Sequence, residues 1–126
     1  MQKSEPYITW SESQFVESYG NVYVLLSGNN EVVGFTVIFK TPPDAEIHNL
    51  FICNELRGRG VGKILLKQAI QMMSAEVKKL YLEVSEDNNI AIALYKSLGF
   101  EEIGARKNYY RKGSTASNAI IMHLLI

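Results

Sequence analysis

Apolar positions along this chain follow two rhythms, and the switches between them mark out elements. Ser11-Glu12-Ser13-Gln14 has the form of a capping box and predicts a short helix that Gly20 ends. Residues 22–26 and 32–39 are β-rich runs separated by the turn material Gly28-Asn29-Asn30, which predicts a hairpin. Pro42-Pro43-Asp44 interrupts the pattern, and residues 46–53 read as a third strand. A glycine-rich turn, Arg57-Gly58-Arg59-Gly60-Val61-Gly62, comes next. Val61, Ile64, Leu65, Ala69, Met72 and Met73 then recur at three and four, the period of a long helix. Residues 80–84 read as a strand, and Asp87 or Asn88 caps a helix running to about Leu98, with Gly99 past its end. Residues 100–107 and 119–126 read as two antiparallel strands. The order α-β-β-β-α-β-α-β-β predicts an α/β fold, a mixed central sheet with helices on both faces and a right-handed crossover at the glycine turn.

Composition narrows the class. A chain of 126 residues is the length of one domain, 1–126, and buries roughly two-thirds of its unfolded surface without needing disulfides or a metal. Cys53 has no second cysteine to pair with, and His48 and His123 are far apart with no metal-ligand spacing. Thirteen basic and thirteen acidic residues give a formal net charge of zero, which argues against direct nucleic-acid binding. No apolar run approaches the roughly 18 residues of a membrane helix. Met1-Gln2-Lys3-Ser4-Glu5-Pro6 lacks the apolar stretch of a signal peptide, so the expected location is cytoplasmic.

The glycine turn is the strongest local signal. Glycines let backbone N–H groups approach a ligand with no Cβ in the way, and the helix that follows adds its positive end. The combination suits a diphosphate, although a turn that only packs helix on strand would look the same. A P-loop would need glycine at Arg57 and Ser or Thr at Ile64; a dinucleotide fingerprint would need glycine at Lys63 or Leu65. Both fail.

Arg57-x-x-Gly60-x-Gly62 resembles the acetyl-CoA loop of the GNAT superfamily of N-acetyltransferases. Leu82-Glu83-Val84, Asn88, Ala91, Leu94-Tyr95, Leu98-Gly99-Phe100, Arg106-x-Asn108-Tyr109-Tyr110 and Ala119-Ile120-Ile121-Met122 are spaced as in its bacterial ribosomal-protein alanine N-acetyltransferases. The resemblance covers about residues 10 to 126 and is densest from Glu46 onward. It implies the acyl-CoA N-acyltransferase fold, splayed where acetyl-CoA (coenzyme A) enters. It also implies direct acetyl transfer in a ternary complex to a protein N-terminal amine, an N-terminal alanine of a ribosomal protein first. An acetyltransferase for small amines or lysine side chains, and a non-catalytic acetyl-CoA-binding module, are the alternatives.

The chemistry sets requirements. An α-amine with pKa of about 8 costs about 1 to 1.4 kcal/mol to deprotonate at pH 7, a lysine about 4.6 kcal/mol. Either needs a base, the leaving thiolate benefits from an acid, and the carbonyl oxygen needs N–H donors. Tyr81, Glu83 and Ser85 share one strand face, opposite Leu80, Leu82 and Val84. If both sheet faces are covered, Glu83 is flanked by apolar groups; if one is wet, it meets water. The resemblance makes Glu83 the base. Tyr95 lies one helical turn after Ala91, either as a core aromatic or, as the resemblance implies, as the acid that protonates coenzyme A. Asn88 matches a cofactor contact and also suits a helix N-cap. Leu50, Phe51 and Ile52 match the strand whose backbone binds the cofactor, their side chains being expected in the core. Gly58, Arg59, Gly60, Val61, Gly62 and Lys63 match the pyrophosphate loop. Tyr109 and Tyr110 match the border of the peptide entrance. Arg106, Lys107, Arg111 and Lys112 form a local basic cluster.

Some positions depart from the pattern. Family members carry a first strand and helix before the Trp10-Ser11 region, where about nine residues stand here. An N-terminally shortened domain lacking those elements is therefore expected. Its sheet would open at residues 22–26, an unpaired edge that suits a homodimer. Ser85-Glu86-Asp87 replaces Arg-x-Ser, Cys53-Asn54-Glu55 replaces an Asp-Pro stretch, and Arg111 stands where proline is common.

Overall fold

The computed structural model describes residues 15–112 and 115–126, with side chains outside 108–115. Seven strands and two helices follow in the order β1 (Phe15–Tyr19), β2 (Val22–Leu26), β3 (Val32–Thr41), β4 (Asp44–Ile52), α1 (Val61–Met73), β5 (Lys79–Ser85), α2 (Asn89–Ser97), β6 (Glu101–Lys112) and β7 (Thr115–Leu125). A single 3-10 turn, Asn54–Leu56, precedes the glycine turn. The strand order is β1-β2-β3-β4-β5-β7-β6. β4 and β5 are parallel, while β1–β2, β2–β3, β5–β7 and β6–β7 are antiparallel. The sheet is mixed, as expected.

The first element differs from expectation. Residues 15–19 are a strand, not a helix, and Tyr19 pairs with Val22 across the two-residue loop of Gly20 and Asn21. Five residues that include Phe15, Val16 and Tyr19 sustain little helix by themselves, whereas aromatic and β-branched side chains suit a half-buried strand. A glycine opening a two-residue loop is a hairpin signal rather than a helix stop here. The proposed capping box, Ser11 to Gln14, lies outside the described residues. Because β1 pairs with β2 along all five residues, residues 22–26 are not an unpaired edge, and the expected dimer through that edge loses its basis.

Residues of the chain group into two compact units, and β3 and β4 each contribute to both. The first holds residues 1–38 and 49–73. In it α1 packs against β1 and β2 and buries Val61, Leu65, Leu66, Ala69 and Met73. Met72, expected in the core, is exposed, and Leu66 takes the inward position. Tyr23, Leu25, Val33 and Ile38 complete this core. Truncating Leu65 or Leu66 to alanine would cost about 2 to 5 kcal/mol.

The second unit holds residues 39–48 and 74–126. β5 alternates strictly, with Leu80, Leu82 and Val84 buried and Tyr81, Glu83 and Ser85 half-buried. α2 begins at the cap Asn88, whose Oδ1 accepts from the Ala91 N–H at 3.1 Å. Gly99 follows the helix with φ of +103°, and the Phe100 N–H returns to the Tyr95 carbonyl at 3.0 Å. β6 and β7 run longer than the sequence pattern predicts, to Lys112 and from Thr115.

Candidate functional site

In the first unit, the end of β4 leads directly into the glycine turn. The in–out alternation of β4 slips by one residue at His48 and Asn49, both exposed, so that Leu50 and Ile52 are half-buried and Phe51 points out. Phe51 is 44% exposed, which corrects its expected place in the core. Its ring stacks on Phe35 with centroids 5.5 Å apart. The β4–β5 ladder covers only Asp44–Ile47, so residues 49–52 lie beyond it. Asn49 turns its carbonyl toward β3, accepting from Thr36 Oγ1 at 2.6 Å, and the Cys53 N–H bonds the Val33 carbonyl at 2.9 Å. Strand backbone groups alternate in direction, so the N–H groups of Leu50 and Ile52 face the opposite edge, past the end of that ladder.

Arg57 joins strand to turn. Its Nε–H donates to the Ile52 carbonyl at 2.9 Å, and its guanidinium lies 5.6 Å from the Phe51 ring centre. This side chain holds the turn against the strand end. Gly58 and Gly60 adopt φ of +77° and +78°, a region that costs any L side chain, and nothing lies within 4 Å of where their Cβ atoms would be. The Gly60 carbonyl accepts the first helical bond, from the Ile64 N–H at 3.2 Å. The early N–H groups of α1 are thus presented beside two glycines with open space. Arg59 is exposed, Lys63 half-buried and Val61 buried. These residues fit a diphosphate-bearing ligand.

Sequence reasoning gave Gly34 no role. A Cβ there would sit 2.7 Å from Ile52 Cδ1 and 2.8 Å from the Phe51 carbonyl oxygen. Only glycine lets β3 lie so close to the end of β4. The available signal was a glycine inside a β-rich run.

In the second unit, Glu83 is neither wet nor enclosed by apolar groups alone. Its side chain is 20% exposed, and Oε2 lies 2.8 Å from Arg106 Nη2. Arg106 thus pairs with Glu83 while its own side chain stays 54% exposed. The register explains the reach: Glu83 is opposite Ile121, Ser85 opposite Ala119, and Ala119 opposite Arg106. These residues share a face, and the small Ala119 lies between the two strands that carry the charges. Just beyond, Ser85 Oγ and Ser117 Oγ are 3.2 Å apart, and the Asn118 N–H donates to Glu86 Oε2 at 2.9 Å.

Tyr95 is 8% exposed, its ring edge-on to Phe100 at 5.7 Å. It shares α2 with the Asn88 cap. The backbones of Tyr109 and Tyr110 lie in β6, and their side chains fall outside the described ones. Burial, followed by a hydrogen bond with Glu55, pushes the Cys53 thiol pKa up, which keeps it protonated and a poor nucleophile. Among the described residues no group of His, Cys, Asp and Glu could hold a metal ion, and no helix is long and apolar enough to cross a membrane.

Parallel β4 and β5, joined through a glycine turn and helix in a mixed sheet, are the frame that the resemblance to an acyl-transfer family implied. Residues 2–100 match the sequence profile described as the acetyltransferase (GNAT) family, and the chain belongs to that family. It is 35% identical over 120 residues to the ribosomal protein bS18-alanine N-acetyltransferase of Salmonella typhimurium, covering 93% of this chain and 81% of that one. With the N-alpha-acetyltransferase RimI of Mycobacterium tuberculosis it shares 38% over 95 residues, 72% of this chain and 59% of that one. Among solved structures, the ribosomal-protein-S18-alanine N-acetyltransferase from Escherichia coli superposes with a TM-score of 0.76 at 31% identity, covering 92% of this chain and 71% of that one.

Proposed function

We propose that this chain, as one N-acetyltransferase domain over residues 1–126, transfers an acetyl group from acetyl-CoA to a protein N-terminal amine. The first candidate acceptor is an N-terminal alanine of a ribosomal protein, which puts the reaction in the cytoplasm. The observation that carries the acetyl-CoA reading is the turn fixed by Arg57 at the end of β4, with left-handed Gly58 and Gly60 opening α1. The acceptor follows from the relatives named above.

Acetyl-CoA supplies an acetyl group activated as a thioester. The backbone from Gly58 to Lys63 holds its diphosphate, and Asn88 adds a polar contact. The Leu50 and Ile52 N–H groups offer donors to the thioester oxygen as charge develops there. Glu83 takes a proton from the acceptor amine. The new N–C bond forms as the C–S bond breaks, and the Tyr95 hydroxyl protonates the departing sulfur. Tyr109 and Tyr110 border the acceptor.

Coenzyme A release is the test, with acetyl-CoA and peptides beginning in Ala, Ser or Met or carrying lysine behind a blocked N-terminus, beside Glu83→Gln. Turnover on the Ala peptide that collapses in the variant supports the reading. Turnover only on lysine or small amines overturns the acceptor, and acetyl-CoA binding without turnover overturns the activity.

A further inference from the structure

The base does not stand alone. Glu83 and Arg106 come from β5 and β6, strands separated by β7, and meet at 2.8 Å over Ala119. Glu46 and Lys79 on this face have other neighbours. Glu46, opposite Tyr81, lies 3.5 Å from His48, and the Lys79 ammonium is 5.6 Å from the Tyr81 ring centre. His123, opposite both Tyr81 and Glu101, is 6.2 Å from the Tyr81 ring.

An acceptor amine arrives mainly as an ammonium ion. A lone, four-fifths-buried carboxylate would hold that cation in a ground-state ion pair. Such a pair tightens binding and makes the proton harder to lose, so it lowers the rate of attack. An arginine already seated on the carboxylate cancels the attraction. We propose that Arg106 is a positioning residue that neutralises Glu83 toward incoming cations, so that the site does not trap its acceptor as the ammonium and disfavours acceptors with a second positive charge, such as polyamines. The proposal rests on Glu83 being the base, and it adds a determinant of acceptor class that the family's loop and acid–base pair do not contain.

The test has two arms. With Ala-peptide and saturating acetyl-CoA, Arg106→Met lowers KM for the peptide about three- to tenfold and lowers kcat by at least as much. Arg106→Lys restores both. A merely structural role would raise KM or leave it alone, and either result overturns the proposal. The second arm needs no turnover. The affinity of alaninamide hydrochloride, a small α-ammonium probe, is measured by calorimetry for the wild type and Arg106→Met. The variant binds it about three- to tenfold more tightly, and Glu83→Gln in the same chain removes the gain. Equal or weaker binding overturns the proposal. If wild type acetylates no peptide yet the gain appears, the proposed function fails and only the shielding of Glu83 by Arg106 stands. Arg106→Gln is measured beside Arg106→Met, with melting curves of both, so that loss of fold in one does not decide the result.

Discussion

A carboxylate that is one-fifth exposed and already bonded to an arginine is held in a defined position, unlike one on a wet strand. Glu83→Gln keeps the shape of the side chain and removes the proton acceptor. It should lower kcat about 100-fold or more while leaving acetyl-CoA affinity intact, measured by steady-state kinetics beside a binding titration. Tyr95 separates the two readings the sequence left open. Its buried ring against Phe100 shows the packing role directly. Tyr95→Phe keeps that ring and should lower kcat about 10-fold or more with little change in melting, whereas Tyr95→Ala should cost about 3 to 5 kcal/mol of stability. Cys53 gives a pH prediction. Its thiol is held protonated above the ordinary range, so iodoacetamide should label it more slowly at pH 7 than a free cysteine. The rate should climb only as pH rises past the usual thiol range. Cys53→Ser should acetylate normally, which would exclude a covalent acetyl-enzyme route.

At the level of elements, legibility followed from how much each pattern over-determined its outcome. β5 was readable because alternation and length agreed, and its three inward and three outward residues are where the pattern set them. α1 was readable as a helix but not in its inward face. The periodic series took in Met72 and left out Leu66, whereas packing against β1 and β2 buries Leu66. β1 was misread because a four-residue capping signature outweighed a five-residue strand whose partner lies across a turn. Gly20, which opens the two-residue loop to that partner, was read as a helix stop. Arg57 was legible only as a loop residue; its bond to Ile52 depends on where β4 ends. Gly34 is where an element-scale test applies. Gly34→Ala would drive a Cβ into the backbone of Phe51, which cannot yield as a side-chain tip can. It should destabilise the protein by about 1 to 3 kcal/mol and weaken acetyl-CoA binding, both read by ligand-dependent melting.

For the whole molecule, a net charge of zero gives no overall charge to draw in a phosphate-rich partner, so recognition rests on local charge and geometry. In the proposed function the glycine turn supplies that geometry in the first unit, and Glu83, Tyr95 and Arg106, on a strand, a helix and a hairpin, supply it in the second. The glycine turn was legible as the opening of a helix, because glycines at alternate positions stand directly before the periodic run of α1. The Glu83–Arg106 pair was not, because it joins residues 23 positions apart through a strand that comes later in the chain. Saturation with acetyl-CoA at about 100 times its Kd should stabilise the fold by about 2.7 kcal/mol and raise Tm by roughly 10 °C. Gly60→Ala, forced into the left-handed region, should lose most of that ligand-induced rise, as scanning calorimetry would show.

Asn88 carries a consequence for the polarity of recognition. Its amide oxygen already accepts from the Ala91 N–H, while its NH2 end brings two donors to a ligand. A hydrogen-bond acceptor on the ligand suits that end. In the proposed function, capping uses the oxygen and recognition the NH2 end of one planar group, and a single substitution can pull them apart. Asn88→Asp keeps the oxygen that starts α2 and should melt like the parent, yet it would present the ligand with repulsion where the native side chain offers a donor.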